Sequence, residues 1–193
     1  MPQVVSSFRK VYPDVSLKLI ESKSKEIIKN LNEGSIDFAY TVISNDEEYD
    51  DFNVINSEEE YIMLAAPSSF ELRKRACDGV LDFKDVADMK FIVLEDSQLL
   101  TDIFHSLCRK SGVTPEIYIS VSELSTAIPL VEGGNGVMLL PSSYKKYGTL
   151  EKELDFYRIR QVSAKRKIAV IYRKDKYINK PMKALIEILV KDV

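Results

Sequence analysis

Hydrophobic and polar positions follow two different periods along the chain, and the switch between them marks its elements. Apolar residues recur at helical spacing in 4–12, and Pro13 ends the pattern, which predicts a first helix. The alternation of 15–20 predicts a strand, and the stripe in 25–33 before Gly34 predicts a second helix. The apolar run at 36–42 predicts another strand. One strand-helix-strand unit is therefore complete before residue 45.

The remainder of the chain continues the same alternation. Strand-like runs occur at 52–55, 61–66, 91–94, 117–121, 137–140, 154–159 and 168–172. Helical stripes occur at 98–110, 124–131 and 182–189, with two short helices expected in 68–88 and one after Pro141. Strands that alternate with helices at these spacings indicate an α/β fold, with parallel sheets covered on both faces.

The composition of the chain bears on whether it binds nucleic acids or membranes. The 193 residues are 45% hydrophobic, enough for a sizeable core, and 27 Lys and Arg against 30 Asp and Glu give a net charge of −3. This balance predicts no nucleic-acid binding by the chain itself. The basic run at 165–167, with Arg158 and Arg160, is interpreted as a solvated edge. The sequence shows no membrane span and no secretory signal, so we expect a cytoplasmic protein.

Residues that could support catalysis or hold a metal lack partners. His105 is the single histidine and lies mid-helix, and Cys77 and Cys108 are expected to remain reduced thiols. The acidic stretch 46–51 contains no glycine turn for Ca²⁺ and is interpreted as a solvated loop. The glycine-rich run 133–136 follows a helix and precedes a strand, the reverse of a phosphate loop, so it is interpreted as a helix end. We expect no enzyme activity, no metal and no cofactor.

Hydroxyl and amide side chains recur where predicted strands give way to helices. In open α/β sheets the binding crevice lies at the carboxyl ends of strands, where helix N-termini favour anions. Each of these residues could instead serve only as a helix cap. Their recurrence in both halves of the chain favours a binding site for a small polar or anionic molecule. The residues are Ser24, Thr41, Ser97, Gln98 and Ser122.

Four short motifs resemble a known family. They are FRKVYPDV at 8–15, LNEGSIDFA at 31–39, VEGGNGV at 131–137 and LP at 140–141. In this order and spacing they resemble the effector-binding domain of LysR-type transcriptional regulators, and the resemblance spans nearly the whole chain.

The resemblance implies a fold similar to type 2 periplasmic binding proteins. Two Rossmann-like lobes would be joined by two crossover strands, 61–66 and 168–172, with the effector between the lobes. Lobe I would comprise 1–66 plus 170–193, and lobe II would comprise 67–169. No DNA-binding domain is expected within this chain.

The resemblance also implies a function: sensing a small polar or anionic effector. The contacts would come from helix starts, at Ser24 and Thr41 in lobe I and at Ser97, Gln98 and Ser122 in lobe II. In an intact regulator of this kind the chain would form a homodimer or tetramer and would reach DNA only through an N-terminal helix-turn-helix. No membrane partner is implied.

Two departures from the family pattern leave alternatives open. The helix-turn-helix head and the family's first strand are both missing from the sequence, so we expect either another chain to fill the slot or a weakened first lobe. One alternative is an extracytoplasmic solute-binding protein of the same fold. Another is an enzyme on this fold, related to prephenate dehydratases or phosphoribosyltransferases, which would need acid/base or phosphate-binding groups that the sequence does not display.

Overall fold

The computed structural model describes residues 1–22, 24–43, 49–95, 98–148, 150–162 and 165–191 of the chain. Contacts between residues divide it into two compact units, a first unit of Met1–Glu59 with Arg166–Val193 and a second unit of Glu60–Lys165. Within the described ranges, no helix is both long and apolar enough to cross a membrane.

The first unit is a small sheet with helices on both faces. Its elements are α1 (Pro2–Val11), α2 (Ser24–Asn32), β1 (Ala39–Ile43), the first part of β2 (Phe52–Pro67), β8 (Lys165–Arg173) and α6 (Lys180–Lys191). Strand β1 runs antiparallel to β8, which lies between β1 and β2. Successive residues of β8 enter different cores: Ala169 and Ile171 pack with Leu31 of α2, whereas Val170 packs with Phe8 of α1 and the inner face of α6.

The second unit contains the remaining strands around one larger core. Its elements are the rest of β2, β3 (Val80–Leu81), β4 (Lys90–Leu94), α3 (Gln98–Ser111), β5 (Glu116–Val121), α4 (Leu124–Glu132), β6 (Met138–Pro141), α5 (Ser143–Tyr147) and β7 (Leu154–Ile159). Short 3₁₀ turns occupy Ser68–Phe70, Leu72–Lys74 and Phe83–Val86. Strand β2 pairs antiparallel with β6 and β7, whereas β3 with β7 and β4 with β5 are parallel.

Two sequence predictions about strands need correction. The sheets are mixed, not parallel throughout, because β2 and β8 run antiparallel to their partners β6, β7 and β1. The segment 15–20 is not a strand, and it makes no ladder with any strand that the structure describes. Alternation of side chains produces a strand only where a neighbouring strand supplies hydrogen bonds. Leu19 and Ile20 consequently stay 64% and 43% exposed.

Three further predictions differ from the structure: the bounds of two strands and the exposure of one basic residue. The runs 52–55 and 61–66 form the single strand β2, because its polar middle continues the ladder. The strand expected at 36–42 is β1, which starts at Ala39, so Thr41 lies in mid-strand opposite Ala169 and not at a strand end. Arg166 is only 8% exposed, because it lies on β8 inside the sheet; the interpretation of 165–167 as a solvated edge is therefore wrong at that residue.

Candidate functional site

Three strands of the second unit end at the same edge. Strands β4 and β5 are parallel, with Leu94 opposite Val121 at their carboxyl ends. A parallel bridge between Phe91 and Val137 places β6 on the other side of β4. There the Val137 N–H donates to the carbonyl oxygen of Lys90, and the Val137 carbonyl oxygen accepts from the Ile92 N–H, both at 2.9 Å. The carboxyl ends of β4, β5 and β6 therefore meet; we call this the carboxyl edge.

A helix starts beyond each of these strands. Helix α3 begins at Gln98 after β4, α4 begins at Leu124 after β5, and α5 begins at Ser143 after β6. The first amides of a helix have no acceptor within it and carry partial positive charge. The side chain of Glu123, the cap residue of α4, makes no capping hydrogen bond to the first amides of that helix. The carboxyl edge thus presents helix amides suited to an anion or a polar oxygen.

The start of α3 is tied to the end of β4 by a hydroxyl. Thr101 Oγ1 donates to the carbonyl oxygen of Leu94 at 2.6 Å. Beneath this contact, Leu100 and Phe104 line a cavity of about 10 Å³, which holds at most one water molecule. A ligand at this edge therefore binds on the outer side of the helix starts and not inside the core.

The start of α5 carries a denser polar cluster. The Ser143 hydroxyl donates to a carboxylate oxygen of Glu60 at 2.5 Å, and Glu60 is only 3% exposed. Next to it, the Tyr61 amide donates to the hydroxyl oxygen of Ser142 at 3.1 Å. The guanidinium of Arg158 lies 4.7 Å from the centre of the Tyr61 ring. An exposed cation and two hydrogen-bonded hydroxyls therefore lie beside the end of β6.

The predicted site residues fall into three groups. Gln98 and Ser122 follow β4 and β5 and so share the carboxyl edge; Ser122 is exposed, whereas the side chain of Gln98 lies outside the described residues. Ser97 lies wholly outside them. In the first unit, Ser24 is the first residue of α2, with its side chain also outside the description, and Thr41 is half-buried within β1.

Sequence reasoning missed four polar residues of the carboxyl edge: Glu60, Thr101, Ser142 and Ser143. The two serines follow Pro141, a recognisable helix start, so their place could have been found. Glu60 gave no distinct signal, because it follows two other glutamates, and only the pairing of β2 with β6 brings it to Ser143.

The side chains that could support acid–base or thiol chemistry are one histidine and two cysteines. His105 is exposed on α3 with its ring against Phe104, at 5.6 Å between ring centres. Cys77 and Cys108 are free thiols, and burial raises the pKa of Cys108, which disfavours the reactive thiolate. The residues that the structure describes contain no group of three or more metal-ligating side chains.

Comparisons with known proteins agree on one family. The profile "LysR substrate binding domain" matches residues 1–193. The "Uncharacterized HTH-type transcriptional regulator YwbI" of Bacillus subtilis is 25% identical over 187 residues, which cover 96% of this chain and 60% of the regulator. The chain spans between 55% and 60% of the length of the first curated relatives. These relatives are named as transcriptional regulators, which favours a regulator over an enzyme or a solute-binding protein.

Solved structures support the same fold. The "BenM effector binding domain with its effector benzoate" is 22% identical, with a TM-score of 0.72 over 100% of this chain and 85% of that one. The "Effector binding domain of QuiR in complex with shikimate" is 23% identical, with a TM-score of 0.65 over 99% of this chain and 88% of that one. The predicted α/β fold of the type 2 periplasmic binding protein kind is thereby confirmed.

Proposed function

The chain belongs to the LysR substrate-binding domain family, and on this premise we propose that it senses a small anionic or polar effector at the carboxyl edge. The observation that carries the proposal is the parallel pairing of β4 with β5, extended by the bridge to β6. This arrangement directs the first amides of α3, α4 and α5 to one place. The effector contacts that we propose at this edge are Ser97, Gln98 and Ser122. The further contacts that we propose, Ser24 and Thr41, belong to the first unit.

Two features of the carboxyl edge favour an anion, against the opposing charge of the Glu60 carboxylate. Helix N-termini attract negative charge, and the Arg158 guanidinium beside Tyr61 adds a full positive charge near the start of α5. The exposed Ser122 can add a hydroxyl hydrogen bond between β5 and α4. The related domains of BenM and QuiR were solved with benzoate and shikimate. We therefore propose a small carboxylic acid as the effector class.

A thermal shift titration tests the proposal, with benzoate, shikimate and aliphatic dicarboxylates as probes. A ligand at one hundred times its Kd stabilises the folded state by about 2.7 kcal/mol. In a chain of this size that corresponds to a rise in Tm of about 5 to 10 °C. Failure of every small carboxylate to raise the Tm at millimolar concentration would contradict the proposed effector class.

A matched pair of variants locates the site. Ser122→Leu places a bulky apolar group at the carboxyl end of β5, whereas Thr114→Leu changes an exposed residue before the amino end of the same strand. We expect Ser122→Leu to abolish the ligand-induced rise in Tm and Thr114→Leu to leave it unchanged. Equal responses from the two variants would remove Ser122 from the site.

The role of the whole regulator extends the proposal beyond this chain. We propose that effector binding shifts a conformational equilibrium, and that a helix-turn-helix head on the same polypeptide contacts DNA in the cytoplasm. The lobes of the regulator would be 1–66 with 170–193, and 67–169.

We also propose that the intact protein forms a homodimer or tetramer. Within the described residues β5 pairs with β4 alone, and its Ile117 and Tyr118 are 45% and 47% exposed, a surface suited to self-association. Sedimentation of the full-length regulator across a range of concentrations tests this, and a monomer throughout that range would contradict it.

A further inference from the structure

An open cavity of about 190 Å³ lies in the first unit, where the end of α2 meets the segment after β8. It is smaller than the roughly 300 Å³ of pockets that hold drug-sized ligands, so its occupant would be a small molecule. The residues that matter for its chemistry are Leu31, Ile36, Asp37, Arg173, Lys176 and Tyr177.

Two cations are fixed in the wall of this cavity by neighbouring acceptors. Arg173 donates through Nε and Nη2 to the carboxylate of Asp175, and through Nη1 to the Asn32 carbonyl at 2.8 Å. The Lys176 ammonium lies 2.6 Å from a carboxylate oxygen of Asp37. The cationic side chains are 38% and 31% exposed, whereas Asp175 and Asp37 are 66% and 63% exposed. The carboxylates are the more exposed partners, so a ligand carboxylate that enters from solvent can exchange with them, while the bond to the Asn32 carbonyl still holds Arg173.

The rest of the lining suits an apolar body. Leu31 is 1% exposed and forms part of the core beneath the cavity, and Ile36 packs partly buried against the same core. Tyr177 is 83% exposed, so its ring is available to cover a ligand. Aromatic rings stack readily on flat ligand surfaces, and their burial on binding is favourable.

We propose that this cavity is a second ligand site, which takes a small organic anion with an apolar body. Its carboxylate binds the Arg173 guanidinium and the Lys176 ammonium in place of Asp175 and Asp37, and its body packs between Ile36 and the Tyr177 ring. This site lies entirely within the first unit and is independent of the carboxyl edge. Because both cations already have partners, we expect dissociation constants in the millimolar range.

Titration of the ¹⁵N-labelled chain with phenylacetate, followed by amide chemical shifts, tests the proposal. We expect saturable shifts at Gly34, Ile36, Asp37, Lys176 and Tyr177. Phenylacetamide has the same shape without the charge, and it should shift these amides several times less. No saturable shift at these amides with phenylacetate, or equal shifts with both compounds, would overturn the proposal.

Variants provide a second readout that a structural role would not reproduce. Asp175→Asn removes the competing carboxylate and should tighten phenylacetate binding, by up to about fivefold because exposed ion pairs are weak. Tyr177→Ala and Lys176→Gln should weaken it. The matched controls are Tyr147→Ala and Lys146→Gln, at a second Lys-Tyr pair whose ammonium lies 4.8 Å from the ring centre.

Neither control should change phenylacetate binding at the cavity. Weaker binding by Asp175→Asn, or equal losses in the variants and their controls, would refute the site. Both results are independent of binding at the carboxyl edge, because the amides of that edge are observed separately in the same spectra.

Discussion

Gly136 lies just before β6 and packs against the backbone of β4, so its substitution tests how the carboxyl edge is built. A Cβ atom at this position would lie 2.5 Å from the carbonyl oxygen of Lys90, a backbone atom that cannot move alone. The strands must separate, which disrupts the 2.9 Å hydrogen bond from the Val137 amide to that oxygen. Loss of this bond costs about 0.5–1.5 kcal/mol, and overpacking costs about 1–3 kcal/mol. We therefore expect Gly136→Ala to destabilise the chain by about 2–4 kcal/mol.

Two neighbouring glycines provide matched controls. Gly134 has a φ of +81° with no atom within 4 Å of an added Cβ, so Gly134→Ala should cost only the left-handed strain of about 1–2 kcal/mol. Gly133 has a φ of −75°, and its added Cβ would lie 3.0 Å from the side-chain nitrogen of Asn135 and 3.2 Å from the carbonyl oxygen of Pro129, a looser fit than at Gly136. Gly133→Ala should therefore cost at most about 1 kcal/mol.

Urea denaturation followed by far-ultraviolet circular dichroism measures all three variants. The expected order of destabilisation is Gly136→Ala, then Gly134→Ala, then Gly133→Ala. Gly136→Ala should also weaken effector binding, because it separates the strands that bring the starts of α3 and α5 together. A Gly136→Ala protein as stable as Gly133→Ala would refute the close approach, and with it the placement of β6 at the carboxyl edge.

Two further predictions concern the core of the second unit. Phe104→Ala should cost about 3–5 kcal/mol, because this 4% exposed ring packs 5.1 and 6.1 Å from two other phenylalanine rings; His105→Ala, on the exposed face of the same helix, should be near neutral in the same urea assay. Burial, aided by its bond to Asp155, raises the pKa of Tyr157 from 10.0 to about 12. The folded state therefore holds this proton more tightly, so stability should fall as pH rises from 10 through 12, and Tyr157→Phe should lessen that fall.

Periodicity predicted the helices well because each one buries a continuous apolar stripe. The stripes in 98–110 and 124–131 became α3 and α4 with boundaries shifted by a residue. Strand prediction failed at 15–20 for a physical reason: alternation encodes which faces are buried, and Val15 and Leu17 do pack on the first-unit core, but a ladder also needs a partner strand. Whether a partner strand lies beside the segment depends on the tertiary fold, and the local sequence pattern does not contain that information.

Only those residues of the candidate site that lie at the start of a helix could be predicted from the sequence. Ser122 and Gln98 were predicted because a polar residue after a buried strand signals the start of a helix, and both do follow strands that end at the carboxyl edge. The contact between Glu60 and Ser143 was not predictable, since the two residues are 83 positions apart and meet only through the register of β2 with β6. The side chain of Arg158 was interpreted as a solvated charge, and only the fold shows that it stands over Tyr61.

In the proposed site at the carboxyl edge, different groups would provide affinity for anions and selectivity among them. In the proposed site, attraction for negative charge would arise from backbone amides at the starts of α3, α4 and α5, which any sequence with these helices provides. Discrimination between effectors therefore has to come from side chains such as Ser122 and Arg158, whose hydrogen bonds match some ligand shapes and leave others unpaired. Substitutions at these residues should alter the ranking of carboxylates more than the preference for carboxylates over neutral analogues.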